Sequence, residues 1–535
     1  MRIPAKRMVK VKNFRKLINI IFVRHIRNVL VLVLLLFSNA LQSQVAPVNK
    51  TGKKMIILKN ADEDIIKKDP ATGKSIHHFR GNLKFLQDVT TMWCDSAHFS
   101  QEKNQLTAFS KVHIAQGDTL NLFSDYLFYD GMSEMAFMKG NVELIDKETH
   151  LFTDSINYDV RNKIARYTNR GKIINAQNTL TSIIGVDYVS QNLFHFKDSV
   201  KIVNPKYVMT ADTMDYNTQT ETAFFTGPTH VVGDSINLYC EKGWYDTKKD
   251  ITSVWKNAMI DNKKQIIHGD SLFFNKKTGY GESFRNVVIE DTANKMIVKG
   301  NYAWYYKDPE RFMVTDRAVF IQISKGDSLF MHSDTISAIS RSDTTGKEYR
   351  LVRAYYGTRI FSKGFQAKCD SLSYSFQDSV IRLYRKPVIW SEENQLTADS
   401  MAVFTKNRQT DKLELYNSSF VTSQIDSIRF NQIKGKLLTG YFKNNEIYKI
   451  DLKGNGESIY YLLDGEDITG VNQGKSLNIE VYLEKGKVTE IYEYQDPEGT
   501  IDPPDPGIPK DLRLKGYNWY DSLRPKNKDD IFRKK

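Results

Sequence analysis

The chain has 535 residues, 41% of them hydrophobic and 12% aromatic, with only 13 prolines. That is ample apolar surface to bury, and it excludes a wholly disordered chain. The formal charge is +13, but nine of the positive charges fall in residues 1–43, which hold no acidic residue, leaving +4 for the rest. The tail from Gly507 onward carries nine Lys/Arg and four Asp, so the body between is near neutral and its charge implies no nucleic-acid partner.

Residues 1–43 read as a signal peptide. Basic residues precede the apolar run Val29 to Phe37, which is too short to span a bilayer comfortably, and Ser38, Ala40 and Ser43 follow it. An uncleaved anchor over Leu17 to Phe37 is the alternative, with Arg24, His25 and Arg27 in its middle. The chain is therefore expected to be exported. Residues 44–75 carry Lys, Asp and Gly without a period and read as a flexible approach segment. A repeat then occupies 76–340, is interrupted by an inserted loop at 341–350, and resumes over 351–495. Residues 496–535 form a Pro-rich linker and a basic tail containing Tyr517, Trp519 and Tyr520. The tail is expected to be flexible, with a docking peptide as the alternative.

The repeat is clearest at Met209 to Val231, MTADTMDYNTQTETAFFTGPTHV, and recurs with a spacing near 29 residues. An acidic anchor marks most copies: Asp95, Asp125, Asp154, Asp187, Asp212, Glu241, Asp270, Asp334, Asp370 and Asp399, with Asn301 and Lys436 at the equivalent place in two weaker ones. Three residues before it stands an apolar column, with Met92, Leu122, Leu151, Ile184, Met209, Leu238 and Ile267. One before it the residues are small, and four after it come Phe99, Tyr129, Tyr158 and Tyr216. Spacing by two predicts strands with one buried face. The phase slips by one residue at the anchor, as at a β-bulge or corner. A second column, with Gly140, Gly171, Asp198, Gly227, Asn257, Asn286, Asp316 and Asn417, holds residues that tolerate positive φ and reads as a second bend. The expected fold is all-β, an elongated repeated array of about a dozen such units.

No catalytic residue, metal site or cofactor is expected. The histidines fall at scattered columns, and His77-His78 stand near the start of the array; neither HExxH nor GxSxG spacing occurs. Acidic residues that recur in every unit, Asp95, Asp125, Asp154, Asp212, Asp270, Asp370 and Asp399 among them, suit a repeated structural task, because Asp bonds nearby backbone at bends. Cys94, Cys240 and Cys369 share the small column of distant units, too far apart for a disulfide.

The phrases LFSDYLFYDGMSEMAFMKGNVELI (122–145) and VMTADTMDYNTQTETAFFTGPTHVV (208–232) resemble the OstA/LptA family of periplasmic lipopolysaccharide-transport proteins. Ser124-Asp125, Tyr129-Asp130, Ala136 and Gly140-Asn141-Val142 carry the likeness. Similar copies extend over about residues 80 to 460. The resemblance implies β-jelly-roll or β-taco modules, two facing sheets open on one side, that hold lipid A acyl chains. It also implies lipopolysaccharide as cargo and other envelope transport proteins as partners through edge-to-edge strand contacts. The resemblance implies a periplasmic location, soluble or peripheral to the outer membrane. This chain is about twice as long as the usual soluble module, and no membrane barrel is expected in it. The groove candidates are Met92, Phe99, Leu122, Tyr129, Leu151, Tyr158, Met209, Tyr216, Leu238 and Ile267. Two other classes fit the residues: a structural or adhesive β-repeat envelope protein with a filled core, and a β-solenoid enzyme acting on polysaccharide.

Overall fold

The computed structural model describes residues 56–533, apart from 71–72, 88–89, 117–119, 147–148, 176–177, 235, 264, 325, 407–408, 444–445, 466, 485–486 and 504–511. The expected signal peptide (1–43), the first part of the expected approach segment (44–55) and part of the Pro-rich linker lie outside the described residues. The regular structure described is β-strand, with three-residue 3-10 turns at Val189–Gln191, Asp521–Leu523 and Asp530–Phe532. Two compact units divide the chain. One takes the described residues up to 263 with 271–277, the other 264–270 with those from 278 onward.

Each full-length strand is bent once, and the sequence dictates where. In the strand Thr90–Ser100, Met92 and Cys94 are buried, Asp95 is exposed, and burial resumes at Ala97 rather than at Ser96. The adjacent strand Gln105–Gln116 places Ser110 and Lys111 in left-handed conformation at φ 60° and 49°, and the pairing register shifts there. A bulge of this kind returns the following side chains to the same face. Side chains before and after the corner therefore share one interior.

The two bends expected per unit are one corner seen from adjacent strands. The acidic column of one strand lies beside the Gly/Asn column of the next. Asp125 accepts from Asn141 Nδ2 at 2.8 Å, Asp95 from Ser110 Oγ at 2.8 Å, and Asp270 from Asn286 Nδ2 at 3.1 Å. Gly140 is left-handed at φ 78°, and a Cβ there would lie 2.6 Å from Asp125 Oδ2. Asp198, Asn257, Asn286, Asp316 and Asn417 are left-handed too. At Gly171 and Gly227 the strand breaks instead, into Ile164–Tyr167 and Gly171–Asn175, and into Thr222–Phe225 and Thr229–Gly233. The small column is small because neighbouring side chains reach across it: a Cβ on Gly435 would meet Leu452 Cδ2 at 2.5 Å.

One copy is registered differently from the sequence reading. Ser182 pairs with Gly171, which pairs with Thr153, so Ser182 holds the small column and Ile183, not Asp187, holds the anchor position. Leu180, rather than Ile184, fills the apolar column and is 0% exposed. The Ile183 amide donates to Asp198 O at 3.0 Å, so backbone closes this corner without a carboxylate.

In the first unit the described part of the approach segment is not irregular. Ile57–Asn60 and Glu63–Lys68 pair with the two halves of Ser75–Gln87. This edge buries little beyond Ile57 and Ile65, each only partly, so it leaves no apolar period to read.

In the second unit, residues 341–350 are no insertion between arrays. Leu329–Ser342 and Glu348–Phe361 pair as a hairpin out to Ser342 and Glu348, closed by the turn between them. Inward residues from both sides of the corner, such as Met331 with Ile336 and Ala367 with Leu372, belong to one apolar core. The basic tail is seated on this unit rather than free. Gln432 donates to Leu512 O at 2.9 Å and accepts from the Leu514 amide at 3.0 Å. Gln395 donates to Asn518 O and accepts from the Tyr520 amide, both at 2.7 Å. Arg524 Nε donates to Gln366 Oε1 at 2.7 Å. These three glutamines stand four residues before Lys436, Asp399 and Asp370, and all are buried. Trp519 packs on Phe430 with ring centroids 5.0 Å apart, and Phe532 on His332 at 4.8 Å.

Candidate functional site: an apolar interior

Strand pairing turns the apolar column of the first unit into one unbroken row. Phe85 pairs with Met92, Met92 with Ile114, Ile114 with Leu122, Leu122 with Leu144, and Leu144 with Leu151. The row continues through Ile173, Leu180, Ile202, Met209, Val231, Leu238 and Ile260. Half of these residues come from the alternate strands and were not among the sequence candidates. Their signal was the closing apolar residue of each unit, such as Leu144 and Val231. The second unit carries a matching row, from Ile289 and Val298 through Phe320, Met331, Ile360 and Ala367 to Ile389, Leu396, Val421 and Ile433.

Beyond the corner runs a second row in which large and small residues alternate. Phe99, Leu106, Tyr129, Ala136, Tyr158 and Ala165 follow one another, then Asp187, Phe194, Tyr216, Ala223 and Tyr245. Small residues beside tyrosines leave room for each ring to lie over its neighbour strand.

Of the sequence candidates, Leu122 is 1% exposed, Leu151 3%, Tyr158 0% and Tyr216 3%, with Met92 and Met209 just within the buried range. Phe99, Tyr129, Leu238 and Ile267 are half-buried. Ile267 falls in the residues assigned to the second unit. Six of the ten candidates are thus covered by protein and four only in part.

The anchors face the other way. Asp95, Asp125, Asp154, Asp212, Asp270 and Asp399 are exposed, and Asp370 is half-buried, where it accepts from Ser371 Oγ at 2.8 Å and lies 3.5 Å from Arg385. Asp212 accepts from Thr213 Oγ1 at 3.1 Å. The bond from Ser110, with Lys111 nearby, holds the Asp95 carboxyl below its ordinary range. Asp154 lines an open depression of about 850 Å³ of mixed character, with Asn141, Arg170, Lys172, Phe152 and Ile183.

Within the interior, titratable groups are held neutral by burial. Desolvation pushes the Cys94, Cys240 and Cys369 thiols up to about 12, and all three are free and buried. Tyr167, between Gly171 and Gly185, is raised to about 12 and bonds Ser182 Oγ at 2.7 Å. Burial also raises the Asp187 carboxyl well above the usual range.

Histidines outside the interior form pairs rather than clusters. His77 lies 3.0 Å from Asp64 and His195 2.6 Å from Asp215, while His78 packs against His98 at 4.0 Å. Among the described residues no group of three or more His, Cys, Asp or Glu could hold a metal ion. Nor is any described helix long and apolar enough to cross a membrane. What this arrangement can do chemically is cover apolar matter along a continuous strip.

The profile of the family described as OstA-like protein matches residues 53–212. Among solved structures, the chain is similar to LptH, the LptA-homologous periplasmic component of the lipopolysaccharide transport device from Pseudomonas aeruginosa. That match has 14% identity, covers 19% of this chain and 79% of that one, and has a TM-score of 0.18. No curated protein matches the chain.

Proposed function

Taking as premise that the chain is OstA-like over residues 53–212, we propose that it is a periplasmic, lipid-binding bridge component of lipopolysaccharide transport to the outer membrane. Its action is binding, not catalysis. The observation that carries this reading is the unbroken aliphatic row from Phe85 to Ile260, which continues well past the matched segment. A strip of that length, if uncovered, exceeds the scattered apolar exposure of an ordinary soluble surface. Parting of the two halves of the bent strands would present it to acyl chains, each CH₂ contributing roughly 0.8 kcal/mol. Lipid A is the cargo on this reading. Neighbouring envelope transport proteins would join edge to edge, where terminal strands leave backbone groups for pairing.

Native mass spectrometry with lipid extraction, on protein purified without harsh detergent, tests the proposal. Co-purifying lipid A supports it. A second reading, a structural β-repeat protein with a filled core, is favoured by the near-complete burial of Leu122, Leu151 and Tyr158 by the chain itself. A lipid-free protein that takes up no added lipid would select that second reading.

A further inference from the structure

The alternating row of the first unit contains one acid. Tyr129, Tyr158, Asp187, Tyr216 and Tyr245 occupy every second strand, so Asp187 stands where the pattern places a tyrosine. Asp187 is 4% exposed and Tyr158 is 0% exposed, and only Ala165 separates them in the row. The neighbouring tyrosines bond to turn residues: Tyr245 donates to Asp250 Oδ1 at 2.5 Å, and Tyr216 bonds Thr247. The Tyr158 hydroxyl, by contrast, has no hydrogen-bond partner among the described residues. Burial first, and the Asp187 carboxyl second, raise the Tyr158 hydroxyl above its ordinary range.

A buried hydroxyl without a partner is uncommon, and a buried carboxyl costs more still, so a pair of them calls for a reason. Their position suggests one. Tyr158 is the last residue but one of Thr149–Asp159, and Asp187 the last but one of Ile184–Tyr188. Both therefore sit at the margin of the interior, next to the turns, while the aliphatic row lies on the far side of the corner.

We propose that the Tyr158 hydroxyl and the Asp187 carboxyl form a hydrogen-bonding niche for the carbonyl of an ester- or amide-linked acyl lipid, whose chain runs inward along Leu151 and Leu180. The niche rests on the reading that the interior admits lipid. A phenol and a neutral carboxyl each offer an O–H, which matches a carbonyl oxygen with its two lone pairs. Burial shifts the carboxyl toward its neutral form, the one that carries an O–H. A phosphate would bring full charge into a dry site beside a carboxyl and is disfavoured. An ammonium would instead require Asp187 to ionise.

The test compares two synthetic probes of equal chain length on the full-length protein, a monoacylglycerol and its ether-linked analogue, with an alkylamine as third. The wild type is expected to prefer the ester over the ether by about tenfold, the worth of one or two net hydrogen bonds. Tyr158→Phe and Asp187→Leu should lose that preference while still binding the ether. Asp187→Asn, whose amide still donates, should keep most of it, and its thermal melt reports that the fold is intact. Equal binding of ester and ether by the wild type overturns the niche but leaves the lipid interior standing. Tighter binding of the alkylamine overturns it in favour of a cation site. A wild type that binds none of the probes overturns the niche together with the lipid-binding reading beneath it.

Discussion

Replacing Gln395 by Leu should release the C-terminal segment while leaving the array folded. Gln395 is 1% exposed and makes three contacts at once. It accepts from Trp390 Nε1 at 3.3 Å and from the Tyr520 amide at 2.7 Å, and donates to Asn518 O at 2.7 Å. Each such bond contributes a net stabilisation of roughly 0.5–1.5 kcal/mol, and a buried donor left unpaired costs about 1–3 kcal/mol. The two backbone groups of the tail can return to water if the tail lifts, but the fully buried Trp390 indole cannot. The docked state should therefore lose about 2–3 kcal/mol relative to the lifted one, raising the lifted population by about 30- to 150-fold. Amide exchange of residues 512–533 should speed up accordingly. Trypsin should cut after Arg513, Lys515 or Lys526 before it attacks the strands. Unchanged protection of Asn518 to Arg524 in the variant would refute the reasoning, since the tail would then be held by other contacts.

The corners give an ordered pair. Gly140→Ala combines left-handed strain of about 1 kcal/mol with displacement of the Asp125–Asn141 bond, about 2 kcal/mol in all by chemical denaturation. Gly357→Ala, equally left-handed at φ 65° but with nothing within 4 Å of the added Cβ, should cost only about half of that. Asp125→Ala should lower stability by about 0.5–1.5 kcal/mol through the lost Asn141 bond, read from the urea midpoint, and leave any lipid binding unchanged. Asp187 sets a pH dependence of defined sign. Its folded carboxyl is raised above the ordinary value of 3.8, so the folded state holds the proton longer than the unfolded chain does. Stability should fall as pH rises from about 4 toward the folded pKa, and Asp187→Asn should remove that slope. Parallel urea midpoints for both proteins between pH 4 and 8 would contradict it.

The parts of the fold legible in sequence are those with a local cause. The apolar column at Met92, Leu122, Leu151 and Met209 follows from strand alternation, and the phase slip at Asp95-Ser96 from the bulge. The copy at Ile183 was misplaced because its corner carries no acid, and Asp187, four residues on, offered the nearest substitute. The resulting error hid the one acid inside the interior. The rows themselves needed strand pairing, because Ile114, Ile173 and Ile202 lie on alternate strands with no anchor of their own. Tail docking is legible in sequence only as the alternative that Tyr517, Trp519 and Tyr520 offer, because its partners are far apart in the chain: Gln432 and Leu514 differ by 82 positions, Gln366 and Arg524 by 158. The glutamines become conspicuous only once they are known to stand at one repeat position and to be buried.

The central claim, that the interior holds lipid, is tested most directly by photo-crosslinking in living cells. Crosslinking residues would replace Leu122, Leu151 and Met209, three members spread along the apolar row that are all buried. Crosslinks from all three to lipopolysaccharide are the expected result. Capture only of the protein's own facing strands, with no lipid adduct at any of the three, would show a filled core and contradict the account.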